Sequence, residues 1–302
     1  MRKPIPTPEV RFVFHPEEDT AYRHFDGHEQ APFAAKAKTV TRANAWWLAE
    51  SALLTYWNSV DAVPRFAVAG LSAELVEDSD TQAYLAWSST AVFVCFRGTQ
   101  PGRVADILAD GLLVLVPWKA GSGVGFVHLG FREALENVWS KLMDKLRPLA
   151  TSRTVWFGGH SLGAALATLA ADRYPDTAGV CTLGSPRVGD KTFADHFDAR
   201  FGPRALRYVN DTDVVTHLPT PFPLPYKHVG GLRHIASDGR ITATRPPLAH
   251  FVRDVFGETQ HVVEISEALN AGALRTAPDY LLDHMPRAYT VHIWNDFDAH
   301  GD

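Results

Sequence analysis

Among 302 residues only two are cysteine, Cys95 and Cys181, so a disulfide framework is excluded. Each lies inside an apolar run and reads as a buried free thiol. Long hydrophobic stretches are also missing: the run near Leu112 to Val116 is far too short to span a bilayer. There is no dense Lys/Arg tract, and the formal net charge is −5, which argues against nucleic acid as the main partner and for a neutral or apolar substrate. Low-complexity tracts, internal repeats and second-domain linkers are absent. Charged residues make up 21% and hydrophobic residues 46%, which excludes a disordered chain and predicts a single domain over residues 1–302 with a full core. Behind Arg2 and Lys3 no apolar stretch of signal-peptide length follows, so the sequence as written predicts a cytoplasmic location. A leader removed before this start would leave the same sequence.

What is present centres on Thr154 to Ala171, TVWFGGHSLGAALATLAA. Thr154-Val155-Trp156-Phe157 reads as a buried strand, and Leu162, Leu166 and Leu169 follow at helical spacing. Between them stands Gly159-His160-Ser161-Leu162-Gly163, a Gly-x-Ser-x-Gly pattern in a strand-to-helix turn. A serine at the tip of so sharp a turn takes strained dihedrals, and a Cβ on either flanking position would collide with a neighbouring element. The helix that begins at Ser161 aims free N–H groups at developing negative charge.

The rest of the chain alternates around this point. Residues 1 to 38 read as a surface arm, and Thr39 to Trp57 as a helix with its tryptophans in the core. Phe66 to Val68 reads as a strand. Ala83 to Phe96 predicts a hairpin whose second strand, Ala91 to Phe96, is apolar on both faces and delivers Arg97-Gly98-Thr99 at its C-terminal edge, where open α/β sheets bind ligands. Gln100 to Leu108 predicts a short amphipathic helix, Leu112 to Trp118 a strand, and Phe131 to Leu146 a long helix. His128 reads as structural. Val180 to Leu183, Phe193 to Phe201 and Ala205 to Val209 continue as strand, helix, strand, which predicts a mostly parallel central sheet with helices on both faces. A Pro-rich loop from Leu218 to Pro225, a hairpin flanking Ser237-Asp238-Gly239, a helix from His261 to Ala273 and a polar tail complete the chain.

A serine hydroxyl needs a base, and the base needs an orienting acid. On a doubly wound sheet these follow the serine in the order acid, then histidine. Asp190, Asp211 and Asp213 are the acids placed just past later strands, with Asp213 preferred. The later histidines are His217, His228, His234, His250, His261, His284, His292 and His300. His284, in a loop after the final long helix, can reach back across the top of the sheet.

Taken together, Phe96-Arg97-Gly98-Thr99, Val127-His128-Leu129-Gly130-Phe131, the elbow, Asn210 to Pro219, and Asp283-His284 with Tyr289 resemble the class 3 lipase family, the α/β-hydrolases typified by fungal triacylglycerol lipases. The resemblance spans residues 40 to 295. It implies an α/β-hydrolase fold with Ser161 as nucleophile, Asp213 as acid and His284 as general base. It implies an oxyanion hole from the N–H groups of Thr99 and Leu162, with Asp110 (or Asp106) bracing the oxyanion residue and a lid-like segment over about 99–116. Pro101 and Gly102 make that segment less regular than the fungal lid helix, which argues against strong interfacial activation. The implied activity is hydrolysis of acylglycerol esters through an acyl-enzyme. The alternatives are a phospholipase A1, a feruloyl or other carboxylesterase, or a non-catalytic acyl-binding protein. The partner is a neutral lipid or ester, met at a lipid–water interface. No metal, organic cofactor or protein partner is implied.

Overall fold

The computed structural model describes residues 1–6, 11–12, 15–98, 114–221, 224–244 and 279–302. Its main sheet has the order β1-β2-β3-β6-β7-β9-β11-β12. The strands are β1 (Ser72–Asp78), β2 (Thr81–Trp87), β3 (Ala91–Phe96), β6 (Thr154–His160), β7 (Thr177–Leu183), β9 (Ala205–Asn210), β11 (Gly231–Ile235) and β12 (Ile241–Thr242). From β3 to β11 every neighbouring pair is parallel; β1, β2 and β12 close the two edges in antiparallel fashion. A small second sheet joins β10 (Tyr226–Lys227), β8 (Gly189–Asp190), β5 (Phe126–His128) and β4 (Leu115–Pro117).

Strand β3 shows why the sheet needs helices on both sides. Ala91, Phe93 and Cys95 join one apolar cluster while Val92, Val94 and Phe96 join the other, so alternate side chains enter opposite cores. One core is covered by α1 (Arg42–Leu54) and by α7 (Pro286–His300), which follows the single turn α6 (Asp279–Leu282); the other is covered by α3 (Leu129–Ala150), α4 (Leu162–Arg173) and α5 (Lys191–Phe201). The two cysteines are free and buried, and stand in register on either side of Gly158 of β6. Two strand spacings, about 9–10 Å, separate them, which is too far for a disulfide. No helix among the described residues is long and apolar enough to cross a membrane.

Four expectations need correction. Phe66 to Val68 is the end of a helix, α2 (Ser59–Val68), capped by Asn58, whose Oδ1 accepts the Asp61 N–H at 3.0 Å. Ala62 and Phe66, four apart, face the core, and that helical pair was hidden in a short β-prone triplet. The tail after His284 is α7, with Tyr289, Ile293 and Trp294 buried against α1. Its polar residues belong to the outer face of an amphipathic helix. Residues 1–38 are more than a surface arm: Phe25 and Ala31 are wholly buried, and the Trp47 indole N–H donates to the Ala31 carbonyl at 2.6 Å. This cover explains why α1 is buried all round, including Glu50, which accepts the Tyr22 hydroxyl at 2.8 Å. The strand expected over Leu112 to Trp118 is shorter, Leu115–Pro117. The helices expected over Gln100–Leu108 and His261–Ala273 lie outside the described residues.

Candidate active site

Ser161 joins β6 to α4 with φ 59° and ψ −129°, a conformation that L-residues rarely adopt. The flanking glycines allow it. A Cβ on Gly159 would lie 2.3 Å from the Gly163 carbonyl oxygen, and one on Gly163 would lie 2.2 Å from that of Phe96. The Ser161 N–H donates to the Leu183 carbonyl at 3.0 Å, which ties the elbow to β7. Leu162 opens α4, where first-turn N–H groups have no intrahelical acceptor.

Asp213 follows β9 and caps the 3₁₀ turn Val214–His217. Its carboxylate is fully buried, so it needs donors, and it has three. The Val215 N–H donates at 2.9 Å, the Tyr289 hydroxyl at 2.5 Å, and His284 Nδ1–H lies 2.9 Å from each oxygen. An ionised carboxylate only accepts, so Nδ1 carries the hydrogen and the neutral ring presents its lone pair at Nε2. His284 Nε2 and Ser161 Oγ are both buried, and neither has a hydrogen-bond partner among the described residues. The His284 ring packs 4.4 Å from that of His160, the residue before the serine. Behind the pair, Gly184 has φ 57°, and a Cβ there would lie 2.8 Å from Asp213 Oδ2 and 3.1 Å from His284 Nδ1.

The loops carrying acid and histidine are clasped to one another. Asn210 Nδ2 donates to the Asp283 carbonyl at 2.9 Å, and the Thr212 N–H and hydroxyl donate to Asp283 Oδ2 at 3.0 and 2.7 Å. Burial pushes the Asp283 carboxyl up to about 6. The Tyr289 hydroxyl, besides donating to Asp213, accepts the Asn210 N–H at 2.9 Å, so one oxygen steadies both the acid and the strand that delivers it. Burial, then the charge of Asp213, holds that phenol well above its ordinary range.

Asp190 caps α5, its Oδ1 accepting the Phe193 N–H at 2.9 Å, and the Asp211 carbonyl sits 3.3 Å from His234 Nε2. His228 bonds the Thr216 carbonyl, the His217 carbonyl accepts from Arg187, His292 lies within α7 and His300 bonds the Asp296 carbonyl. His128 is buried at the N-terminus of α3. Thr99, Asp106, Asp110, His250 and His261 lie outside the described residues, as does the lid-like segment up to residue 113. Among the described residues no group of three His, Cys, Asp or Glu side chains is placed to hold a metal ion. Sequence reasoning passed over Tyr56 and His160; the one available signal was a polar ring at the x position before the elbow serine.

The profile of the family described as Lipase (class 3) matches residues 93–222, which include β3, the elbow and Asp213. Over these residues the chain is similar to the class 3 lipase family. A lipase of Caenorhabditis elegans is 36% identical over 137 residues, covering 42% of this chain and 38% of the relative. The Rhizomucor miehei lipase is 30% identical over 188 residues, covering 58% and 50%. The structure of that lipase with its propeptide superposes on 65% of this chain and 68% of its own, with a TM-score of 0.53 and 27% identity. A phospholipase A1-II of Oryza sativa subsp. japonica is 42% identical over 114 residues, covering 35% and 28%. The chain thus spans half or less of the length of these curated relatives. The mostly parallel sheet with helices on both faces is the α/β-hydrolase fold, and the segment similar to class 3 lipases includes its central strands and elbow.

Proposed function

We propose that this protein hydrolyses carboxylic esters of neutral lipids through an acyl-enzyme on Ser161. The observation that carries the reading is a fully buried carboxylate, Asp213, on Nδ1 of a buried imidazole, His284, whose ring packs on the residue before an elbow serine. His284 Nε2 takes the hydroxyl proton as Ser161 Oγ attacks the ester carbonyl. Asp213 holds the ring and offsets the imidazolium charge. The resemblance assigns the oxyanion to the N–H groups of Leu162 and Thr99, and support of the latter to Asp110 or Asp106. The imidazolium then protonates the departing alcohol, and water, deprotonated by His284, releases the acid and restores Ser161.

The similarity to lipases of Caenorhabditis elegans and Rhizomucor miehei supports acylglycerols as substrate, met at a lipid–water interface. The 42% identity to a plant phospholipase A1 supports a second reading, cleavage of a phospholipid acyl ester by the same residues. Fatty-acid release from a triglyceride emulsion, phosphatidylcholine vesicles and p-nitrophenyl esters of rising chain length separates the two. Ser161→Ala is expected to lower turnover by about a million-fold. Absence of turnover on every substrate, with no labelling by a fluorophosphonate, would leave a non-catalytic acyl-binding protein.

A further inference from the structure

His160 is buried against the base and precedes the nucleophile in the chain, yet the chemistry above gives it no part. Its Nε2 lies 2.8 Å from the backbone carbonyl oxygen of His284, and its Nδ1 lies 2.7 Å from the Tyr56 hydroxyl. The carbonyl can only accept, so Nε2 carries a hydrogen. Tyr56, His284 and Tyr289 are the titratable groups whose rings face it. Burial, then the neighbouring His284, holds His160 well below the ordinary imidazole range, so Nδ1 is a bare acceptor and the Tyr56 hydroxyl donates to it. The tautomer is thereby fixed by the His284 carbonyl on one side and the Tyr56 hydroxyl on the other.

The same hydroxyl also touches the other half of the site. A Cβ on Gly98, at the end of the strand that leads to Thr99, would lie 2.2 Å from Tyr56 Oη, 2.8 Å from the His160 carbonyl and 3.2 Å from Ser161 Cβ. Tyr56, the Gly98 backbone and the elbow therefore share one close-packed contact.

We propose that His160 is a positioning residue for the general base: oriented by Tyr56, its Nε2–H grips the His284 carbonyl while its ring backs the His284 ring, fixing the direction in which His284 Nε2 points. Asp213 holds the imidazole at Nδ1 alone, 2.9 Å from each oxygen. The bond from His160 holds the backbone of the same residue, and the neighbouring ring backs its imidazole. An uncharged ring is required here, since His284 becomes an imidazolium in each half-reaction and a second cation 4.4 Å away would oppose it.

The inference rests on the esterase reading, so the two are tested apart. With p-nitrophenyl butyrate, His160→Phe, which keeps a ring and loses both hydrogen bonds, is expected to lower kcat by about 10- to 100-fold with KM within about threefold. His160→Gln places an amide N–H near the same carbonyl and is expected to recover kcat to within about fivefold of wild type. A His160→Phe kcat within about twofold of wild type, or a His160→Gln kcat as low as that of His160→Phe, overturns the proposal. Should His160→Phe not fold, wild-type protein labelled with ¹⁵N-histidine decides. A neutral Nε2–H tautomer at residue 160, assigned by its loss in His160→Gln and unchanged between about pH 5 and 8, is expected. An Nδ1–H tautomer or a charged ring overturns it. Wild type that takes a fluorophosphonate on Ser161 and shows that result removes only this inference; wild type that takes no label and turns over no ester removes both.

Discussion

Placing one methyl group behind the acid–imidazole pair tests whether their spacing matters, and Gly184→Ala does so. The new Cβ would stand 2.8 Å from Asp213 Oδ2 and 3.1 Å from Cε1 and Nδ1 of His284, well inside van der Waals contact. The carboxylate cannot slide away without leaving the Tyr289 hydroxyl at 2.5 Å or the Val215 N–H at 2.9 Å. Displacement of the pair follows, and misplacement approaching 1 Å at a reacting group costs about a hundredfold in rate. The backbone also suffers, because φ is 57° there and a side chain in left-handed backbone costs about 1–2 kcal/mol. Overpacking adds about 1–3 kcal/mol. Gly70→Ala separates the two effects: its φ is 71°, but nothing lies within 4 Å of a Cβ there. Initial rates on p-nitrophenyl butyrate and urea unfolding are the assays. Gly184→Ala should lose about 10- to 100-fold in kcat, and Gly70→Ala should lose about 1–2 kcal/mol of stability at nearly full activity. Equal rates for Gly184→Ala and wild type, or an equal rate loss in Gly70→Ala, would refute the reasoning.

Asp213→Asn should drop kcat by about ten-thousandfold while the protein stays folded, because an amide N–H facing Nδ1 favours the wrong tautomer; near-wild-type turnover would remove Asp213 from the role. Asp283 has its carboxyl raised to about 6, so its contribution to stability is fully present below its unfolded value near pH 4 and is lost as pH rises through about 6. Urea unfolding at pH 4 and pH 7 should show wild type losing on the order of 2–3 kcal/mol relative to Asp283→Asn across that interval, and a constant difference would contradict the assignment. Glu50 lies 3.7 Å from Lys3 Nζ, whose ammonium sits over Tyr22, Trp46 and Trp294. Glu50→Leu strands that cation and should cost about 3–5 kcal/mol by chemical denaturation, part of which Glu50→Leu with Lys3→Met should restore.

The strand-helix alternation from Ala91 to Val209 could be read from sequence because β3, β6, β7 and β9 are buried on both faces and leave continuous apolar runs. Where cover comes from distant chain, that signal failed. The stripe on α1 said nothing of Asn44 or Glu50, which are buried by residues 22–34, and α7 looked polar because its apolar side leans on a helix 240 positions earlier. The elbow is a local pattern and was legible as such. The Asp213–His284 contact joins residues 71 apart. Local spacing therefore preferred Asp213 without closing off Asp190 and Asp211, the resemblance pointed to Asp213, and the structure places Asp213 on the imidazole. Tyr289 offers a sharper example, since no sequence rule places a phenol five residues past a histidine onto the carboxylate that the histidine also holds.

The two thiols flanking Gly158 lie at the middle of the sheet, and burial pushes both far above their ordinary range. Neither can meet a water-soluble alkylating reagent until the strands on each side of the nucleophile separate. Their rate of modification is accordingly a built-in clock for opening of the central strands, and it can be read in crude samples without any dye, tag or substrate.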